Sequence, residues 1–322
     1  MNSNTQIEPV ILEEPSVYEA IVIGGSYAGL SAAVQLVRAR RQVLILDTGK
    51  PRNRFAHASH GFFGQDGSSP KAMIDAARKQ VMAYPTARFR QAEATHAEQS
   101  EEGFRVTLAD GSAVRAKRLV LATGVKDNLP DVPGLKELWG TGVAHCPYCH
   151  GYEFGGRKLA VLGVSESSVP ASVHAALLLR DWSEDVTLLL NGTKGLSAED
   201  RERLTARDVK IEAAPVERLI PKGHDLEAVE FADGRKSPFA AMFLPTRTSL
   251  SSSIAEQLGC EMEDGMSGQV VKTDARKEST VAGVYVAGDS TSMGGSAIFA
   301  AADGCRAGSM AHQSLVFPKK AS

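Results

Sequence analysis

Two cysteines two residues apart sit in the run His145-Cys146-Pro147-Tyr148-Cys149-His150-Gly151-Tyr152-Glu153. Such a pair can close a small disulfide, and a neighbouring base can lower one thiol's pKa so that it reacts as thiolate. The chain has only four cysteines, so the pair does not belong to a structural disulfide framework. Half of a zinc site is the competing reading. Zinc normally takes four ligands, commonly from paired clusters. Cys260 and Cys305 stand alone, and His145 and His150 lie too close to the pair for metal-finger spacing. The redox reading leads, and no metal is expected. His150, with an ordinary pKa of about 6.5, can take and return protons near neutrality. Its plain alternative is a packing or capping histidine. His145 reads equally as a surface residue or a second proton carrier.

A second constellation lies near the N-terminus. Tyr18 to Ile23 reads as a buried strand running into Gly24-Gly25-Ser26-Tyr27-Ala28-Gly29, with a helical pattern over Leu30 to Arg38. A second strand, Val43 to Leu46, ends at Asp47. This is the order of a dinucleotide-binding unit. Gly24 permits the tight turn, Gly29 permits close helix packing, and the helix N-terminus attracts a pyrophosphate. Asp47, 18 residues beyond Gly29, stands where a carboxylate accepts hydrogen bonds from a ribose. Ser26 replaces the usual middle glycine. Two later strands end in small residues, Leu119 to Ala122 at Thr123-Gly124 and Val284 to Ala287 at Gly288-Asp289. A helix-like stretch follows from Ser296 to Gln313, with Ala297 in its first turn.

The elements that hold these residues fit a large α/β core. At 322 residues the chain is comfortable for two domains. Hydrophobic residues make up 43%, charged residues 23%, and the formal net charge is −2, a balance that argues against a nucleic-acid partner. No run approaches the roughly 20 apolar residues of a membrane span. Residues 1–16 read as a polar, flexible tail without the basic start and apolar middle of a signal peptide. The expected setting is a reducing cytoplasm, where a Cys-x-x-Cys pair is more often catalytic than structural.

Taken together, Gly24-x-Ser26-x-x-Gly29, Ala122-Thr123-Gly124, the central Cys146-x-x-Cys149 and Ala287-Gly288-Asp289 resemble the low-molecular-weight thioredoxin reductase family, over about Tyr18 to Leu315. The resemblance implies two Rossmann-like domains. An FAD-binding domain at 17–138 and 244–322 would be interrupted by an inserted NADPH-type domain at 139–243 carrying the cysteines. It implies FAD contacts from Gly24, Gly25, Ser26, Ala28, Gly29, Asp47, Asn53, Ala94, Thr123, Gly124, Gly288, Asp289 and Ala297. Asp289 would hold the ribityl chain and the helix after it would face the flavin ring. A homodimer is also implied. Arg52-Asn53-Arg54 could reach the FAD phosphates or adenine, or form a solvated basic loop. His60 resembles a flavin-neighbouring position of the flavin-dependent dithiol oxidases.

The inserted domain departs from the family pattern. Lys158 to Gly163 reads as a strand entering a turn, but Val164-Ser165-Glu166 follows where a nicotinamide-binding turn wants glycine near Ser165. After Val186 to Leu190, only Lys194 stands where a basic cluster would hold a 2′-phosphate. Both features count against NADPH as electron donor. His150 also replaces the aspartate that usually follows the second cysteine. This variant is similar to flavin-dependent dithiol oxidases of natural-product pathways, such as those closing the disulfides of gliotoxin, holomycin and romidepsin-type compounds. That resemblance implies catalysis by Cys146, Cys149 and His150, with Cys146 exchanging with a small-molecule dithiol and Cys149 proximal to the flavin. The alternatives are a reductase of a thioredoxin-like protein and a non-catalytic flavin redox sensor. Cys260 and Cys305 read as buried apolar residues, and Ser249 to Ser253 as a polar linker.

Overall fold

The computed structural model describes residues 14–291 and 295–317. The expected tail at 1–16 therefore lies almost wholly outside the described residues. The chain divides into two compact units, one of residues 1–52, 71–126 and 248–322, the other of residues 53–70 and 127–247. The expected boundaries lay elsewhere, at 138/139 and 243/244. The larger difference is that residues 53–70, Asn53 included, cluster with the cysteine-bearing unit rather than with the glycine-turn unit.

In the first unit, five parallel strands stand in the order Val284–Val286, Leu119–Leu121, Ala20–Ile23, Val43–Asp47, Ala87–Gln91. Numbered along the chain this is the 3-2-1-4-5 order of a doubly wound dinucleotide fold, in which ligands sit beyond the carboxyl ends of the strands where the order reverses. The central strands are apolar because both faces are covered, whereas the edge strand Ala87–Gln91 carries Arg88, Arg90 and Gln91 and is only partly buried. Ile21, Ile23, Leu119 and Leu121 face a core completed by Phe104, Val106 and Leu108 from a three-stranded antiparallel sheet. Ala20, Val22, Val43, Ile45 and Tyr285 face the helices Tyr27–Arg38 and Ala297–Val316. Each buried Ile or Leu stabilises the sheet by roughly 1.5–3 kcal/mol.

Those two helices pack with backbone against backbone. A Cβ at Gly304 would run into the Ala28 carbonyl, and one at Gly308 into the Ala32 carbonyl. This contact fixes the entry of the long helix against the glycine turn.

The second unit repeats the plan. Its parallel strands stand in the order Lys210–Glu212, Val186–Leu189, Leu159–Leu162, Ala241–Phe243, Val143–Ala144. The helix Val169–Leu179 covers one face through Val169, Val173, Ala176 and Leu179. A second three-stranded antiparallel sheet covers the other through Leu219, Leu226, Val229 and Phe231. Ser249, read as linker, belongs to a strand over Arg247–Leu250. Cys260 is buried as expected, whereas Cys305 is only partly so, since it lies off the buried face of its helix. Among the described residues no helix is long and apolar enough to cross a membrane.

The helix contact yields a direct test. Gly304→Ala should cost about 1–3 kcal/mol, the usual range for overpacking, and lower the melting temperature of the first unit measured by calorimetry. An unchanged melting temperature would show that the helices can separate without loss.

Candidate active site and dinucleotide site

The glycine turn is built by the approach of two strands. Gly24 has φ +109°, and a Cβ there would collide with the Ala122 carbonyl of the neighbouring strand. A Cβ at Gly25 would lie 2.8 Å from the Asp47 Cβ, so the chain passes close over the end of the second strand. The Gly25 N–H donates to Asp47 Oδ1 at 2.9 Å, and the Gly49 N–H donates to Oδ2 at 3.1 Å. The carboxylate is thereby oriented, with lone pairs left for ribose hydroxyls. Ser26 stands as N-cap of the Tyr27–Arg38 helix with φ −103° and makes no side-chain cap. An extended backbone suits serine, which explains why the missing glycine does no harm here. The first-turn amides face the turn with no serine cap competing for them, a fit for a pyrophosphate.

Gly24, Gly25, Ala28, Gly29, Thr123, Gly124, Gly288 and Asp289 come together at the carboxyl ends of the central strands. Gly288, at φ +79°, sits where a Cβ would lie 3.0 Å from the Ala28 Cβ. The Gly124 carbonyl accepts from the Ser251 N–H at 3.0 Å and from Ser290 Oγ at 3.3 Å. Asp289 is held by Arg52, Nη1 to Oδ2 2.9 Å, with both side chains about four-fifths buried. Arg52, expected at the FAD phosphates or adenine or in a solvated loop, pairs with Asp289. The separation of 237 residues hid this pair from the sequence. Ala297 opens the 20-residue helix, whose N-cap Ser296 also makes no side-chain cap. Ala94 begins a strand of the antiparallel sheet, paired with Leu108. Asn53 follows Arg52 directly and opens the segment that clusters with the second unit. These residues fit FAD.

In the second unit, Cys146 and Cys149 form a disulfide across a single helical turn, Pro147–His150, with Cα atoms 5.3 Å apart. Pro147 at the first helical position presets the turn. The Cys149 N–H donates to the Cys146 carbonyl at 3.2 Å. Gly151 lies against the Trp182 indole, where a Cβ would sit 2.9 Å from Cδ2, and Tyr148 meets the same indole edge-on at 5.6 Å. The turn is therefore anchored on one side, while Tyr148 and Tyr152 remain largely exposed. His150 is mostly buried, and its Nδ1 makes no hydrogen bond among the described residues. Burial pushes its pKa below the usual histidine value. Glu153 and the Cys146 carbonyl pull it up and His60 pushes it down. His145 packs on Trp139 with ring centres 6.3 Å apart.

The nucleotide-type turn of this unit is closed by its own side chains. Ser168 Oγ accepts from the Val164 N–H at 3.1 Å and the Ser165 N–H at 3.0 Å, and donates to the Ser165 carbonyl at 2.9 Å. Two amides that a pyrophosphate would use are thus taken. Gly195, from the loop after Val186–Leu189, packs on Glu166, where a Cβ would lie 3.0 Å from its carbonyl oxygen. The missing glycine and basic cluster were legible in sequence. The hydroxyl that fills the gap was not.

Asp289→Ala should remove the carboxylate that pairs with Arg52 and the group expected to hold the ribityl chain. Flavin should then dissociate on gel filtration while the secondary structure survives by circular dichroism. Full flavin retention in this variant would place the ribityl chain elsewhere.

Residues 18–306 match the family model described as pyridine nucleotide-disulphide oxidoreductase. The chain is 31% identical over 310 residues to the protein named thioredoxin reductase tcpT of Claviceps purpurea, covering 94% of this chain and 95% of that one. Among solved structures, an oxidoreductase from Agrobacterium tumefaciens is 42% identical with TM-score 0.88, covering 94% of this chain and all of the other. The crystal structure of HlmI is 36% identical with TM-score 0.87, covering 95% and 94%. With its two dinucleotide-type units and the Cys146–Cys149 disulfide, the chain is a flavin-dependent oxidoreductase and belongs to the pyridine nucleotide-disulphide oxidoreductase family.

Proposed function

We propose that this protein oxidises a small-molecule dithiol to a disulfide through Cys146 and Cys149, with FAD as the internal electron acceptor and molecular oxygen as the terminal one. The observation that carries this reading is the Ser168 hydroxyl seated on the Val164 and Ser165 amides. It leaves the second unit without a ready pyrophosphate cradle, so electrons enter from thiols rather than from NADPH. The exposed rings of Tyr148 and Tyr152 beside the disulfide offer apolar surface to a small organic substrate.

The chemistry follows from the groups present. His150, neutral at pH 7 because burial holds its pKa low, takes the proton of one substrate thiol on Nδ1. The resulting thiolate attacks Cys146 Sγ, the Cys146–Cys149 bond breaks, and Cys149 leaves as thiolate. The second substrate thiol, once deprotonated, attacks the first substrate sulfur and expels Cys146. The substrate leaves as disulfide, two electrons poorer, and the enzyme pair is a dithiol. FAD, held by the Gly24–Gly29 turn, Asp47 and Asp289, would supply the two-electron acceptor for reclosure of the pair, with oxygen, reduced to hydrogen peroxide, as the final acceptor.

The relatives named thioredoxin reductase support a second reading, reduction of a protein disulfide in the opposite direction. Cysteine variants of the FAD-loaded protein test the dithiol-oxidase reading. Cys149→Ser should trap the substrate as a mixed disulfide on Cys146, visible by mass spectrometry, without turnover. Cys146→Ser should trap nothing and also fail to turn over. His150→Ala should keep its flavin and slow dithiol oxidation by ~100- to 10,000-fold, the usual worth of general acid–base help. Dithiol oxidation at wild-type rate in both cysteine variants would remove the pair from the mechanism. Rapid turnover of a thioredoxin-like disulfide with NADPH would favour the reductase.

A further inference from the structure

The segment 53–70 is attached to the cysteine-bearing unit at several points. Phe55 backs onto Gly140, where a Cβ would lie 2.5 Å from the Phe55 Cβ. His57 meets His224 edge-on with ring centres 6.1 Å apart. The segment closes on itself, the Ser59 N–H donating to the Ser68 carbonyl at 2.8 Å and the Gly67 N–H returning to the Ser59 carbonyl at 2.9 Å. At its centre His60 stands between two carboxylates. Its Nδ1 is 3.6 Å from Asp66 Oδ1, itself fixed by the Gly61 N–H at 2.8 Å, and its Nε2 is 3.3 Å from Glu153 Oε1.

Glu153 follows His150 by three residues on the turn that leaves the redox helix. Its backbone carbonyl accepts from Arg157 Nη2 at 2.8 Å, so the main chain is held while the side chain is drawn to His60. The titratable groups that act on His150 are Glu153, which favours its protonated form, and His60, which opposes it. Asp66 and Arg157 lie one contact further out. A mostly buried imidazole that must accept a proton needs a nearby negative charge, because desolvation otherwise disfavours the cation.

We propose that Glu153 is a positioning residue for the thiol chemistry, its carboxylate held by His60 so that it stabilises the imidazolium His150 becomes on taking a thiol proton. The role rests on the thiol–disulfide reading of the Cys146–Cys149 pair but not on the identity of the dithiol. The 53–70 segment thereby serves the cysteine site through His60.

The test is a titration of His150 in the FAD-loaded, oxidised full chain labelled with carbon-13 histidine. The His150 resonance is identified by its loss in His150→Gln. Glu153→Gln should move the His150 transition to lower pH, and Glu153→Asp should restore part of it. In a His60→Ala background the Glu153→Gln step should shrink, because the carboxylate is no longer held in place. Reduction of the flavin by dithiothreitol, in single-turnover mixing, should slow about 3- to 10-fold at neutral pH in Glu153→Gln, as expected for a weaker base. A His150 transition unchanged in Glu153→Gln overturns the proposal. If the transition moves but wild type is not reduced by dithiothreitol, the positioning role stands and the dithiol-oxidase reading falls.

Discussion

The close approach of the Gly24 turn to the Ala122 carbonyl governs the first unit. Two adjacent parallel strands end there, and the order of the sheet reverses between them. Any side chain at Gly24 would push the strands apart, and with them the helix whose N-terminus faces the turn. That helix is locked in turn against the long C-terminal helix through Gly304 and Gly308. Asp47, Gly288 and Asp289 are placed by the same framework. A pyrophosphate, a ribose and a ribityl chain can then be met without moving the backbone.

The second unit shows what happens when the same plan loses that constraint. Its central strand Leu159–Leu162 also enters a glycine, Gly163, but the next residues are Val164 and Ser165, and Ser168 folds back to satisfy their amides. The topology survives because it depends on apolar strands covered on both faces. The ligand cradle depends on free amides, and those are used up internally. One architecture thus presents an open glycine turn in one unit and, in the other, a cysteine pair on a single turn of helix.

Much of this was legible from residue types. Strand, glycine turn, helix and acid follow one another within about thirty residues, and local order is what periodicity and turn chemistry report. The cysteine pair and His150 were visible for the same reason. Arg52 on Asp289, Glu153 on His60 and the helix contact at Gly304 were not, because each joins segments that only tertiary folding brings together. The allegiance of residues 53–70 was the largest miss. Nothing in a short run of glycines, histidines and aromatics says which of two similar units it will pack on. The Ser168 closure is a subtler case. Sequence showed a missing glycine, and only hydrogen-bond geometry showed what replaced its function.

Whether electrons enter from thiols can be read from one anaerobic rapid-mixing experiment. The FAD-loaded wild type is mixed separately with a small dithiol and with NADPH, and flavin absorbance is followed. The account predicts bleaching by the dithiol, dependent on both Cys146 and Cys149, and a flavin that stays oxidised with NADPH. Fast bleaching by NADPH with no response to dithiols would contradict it.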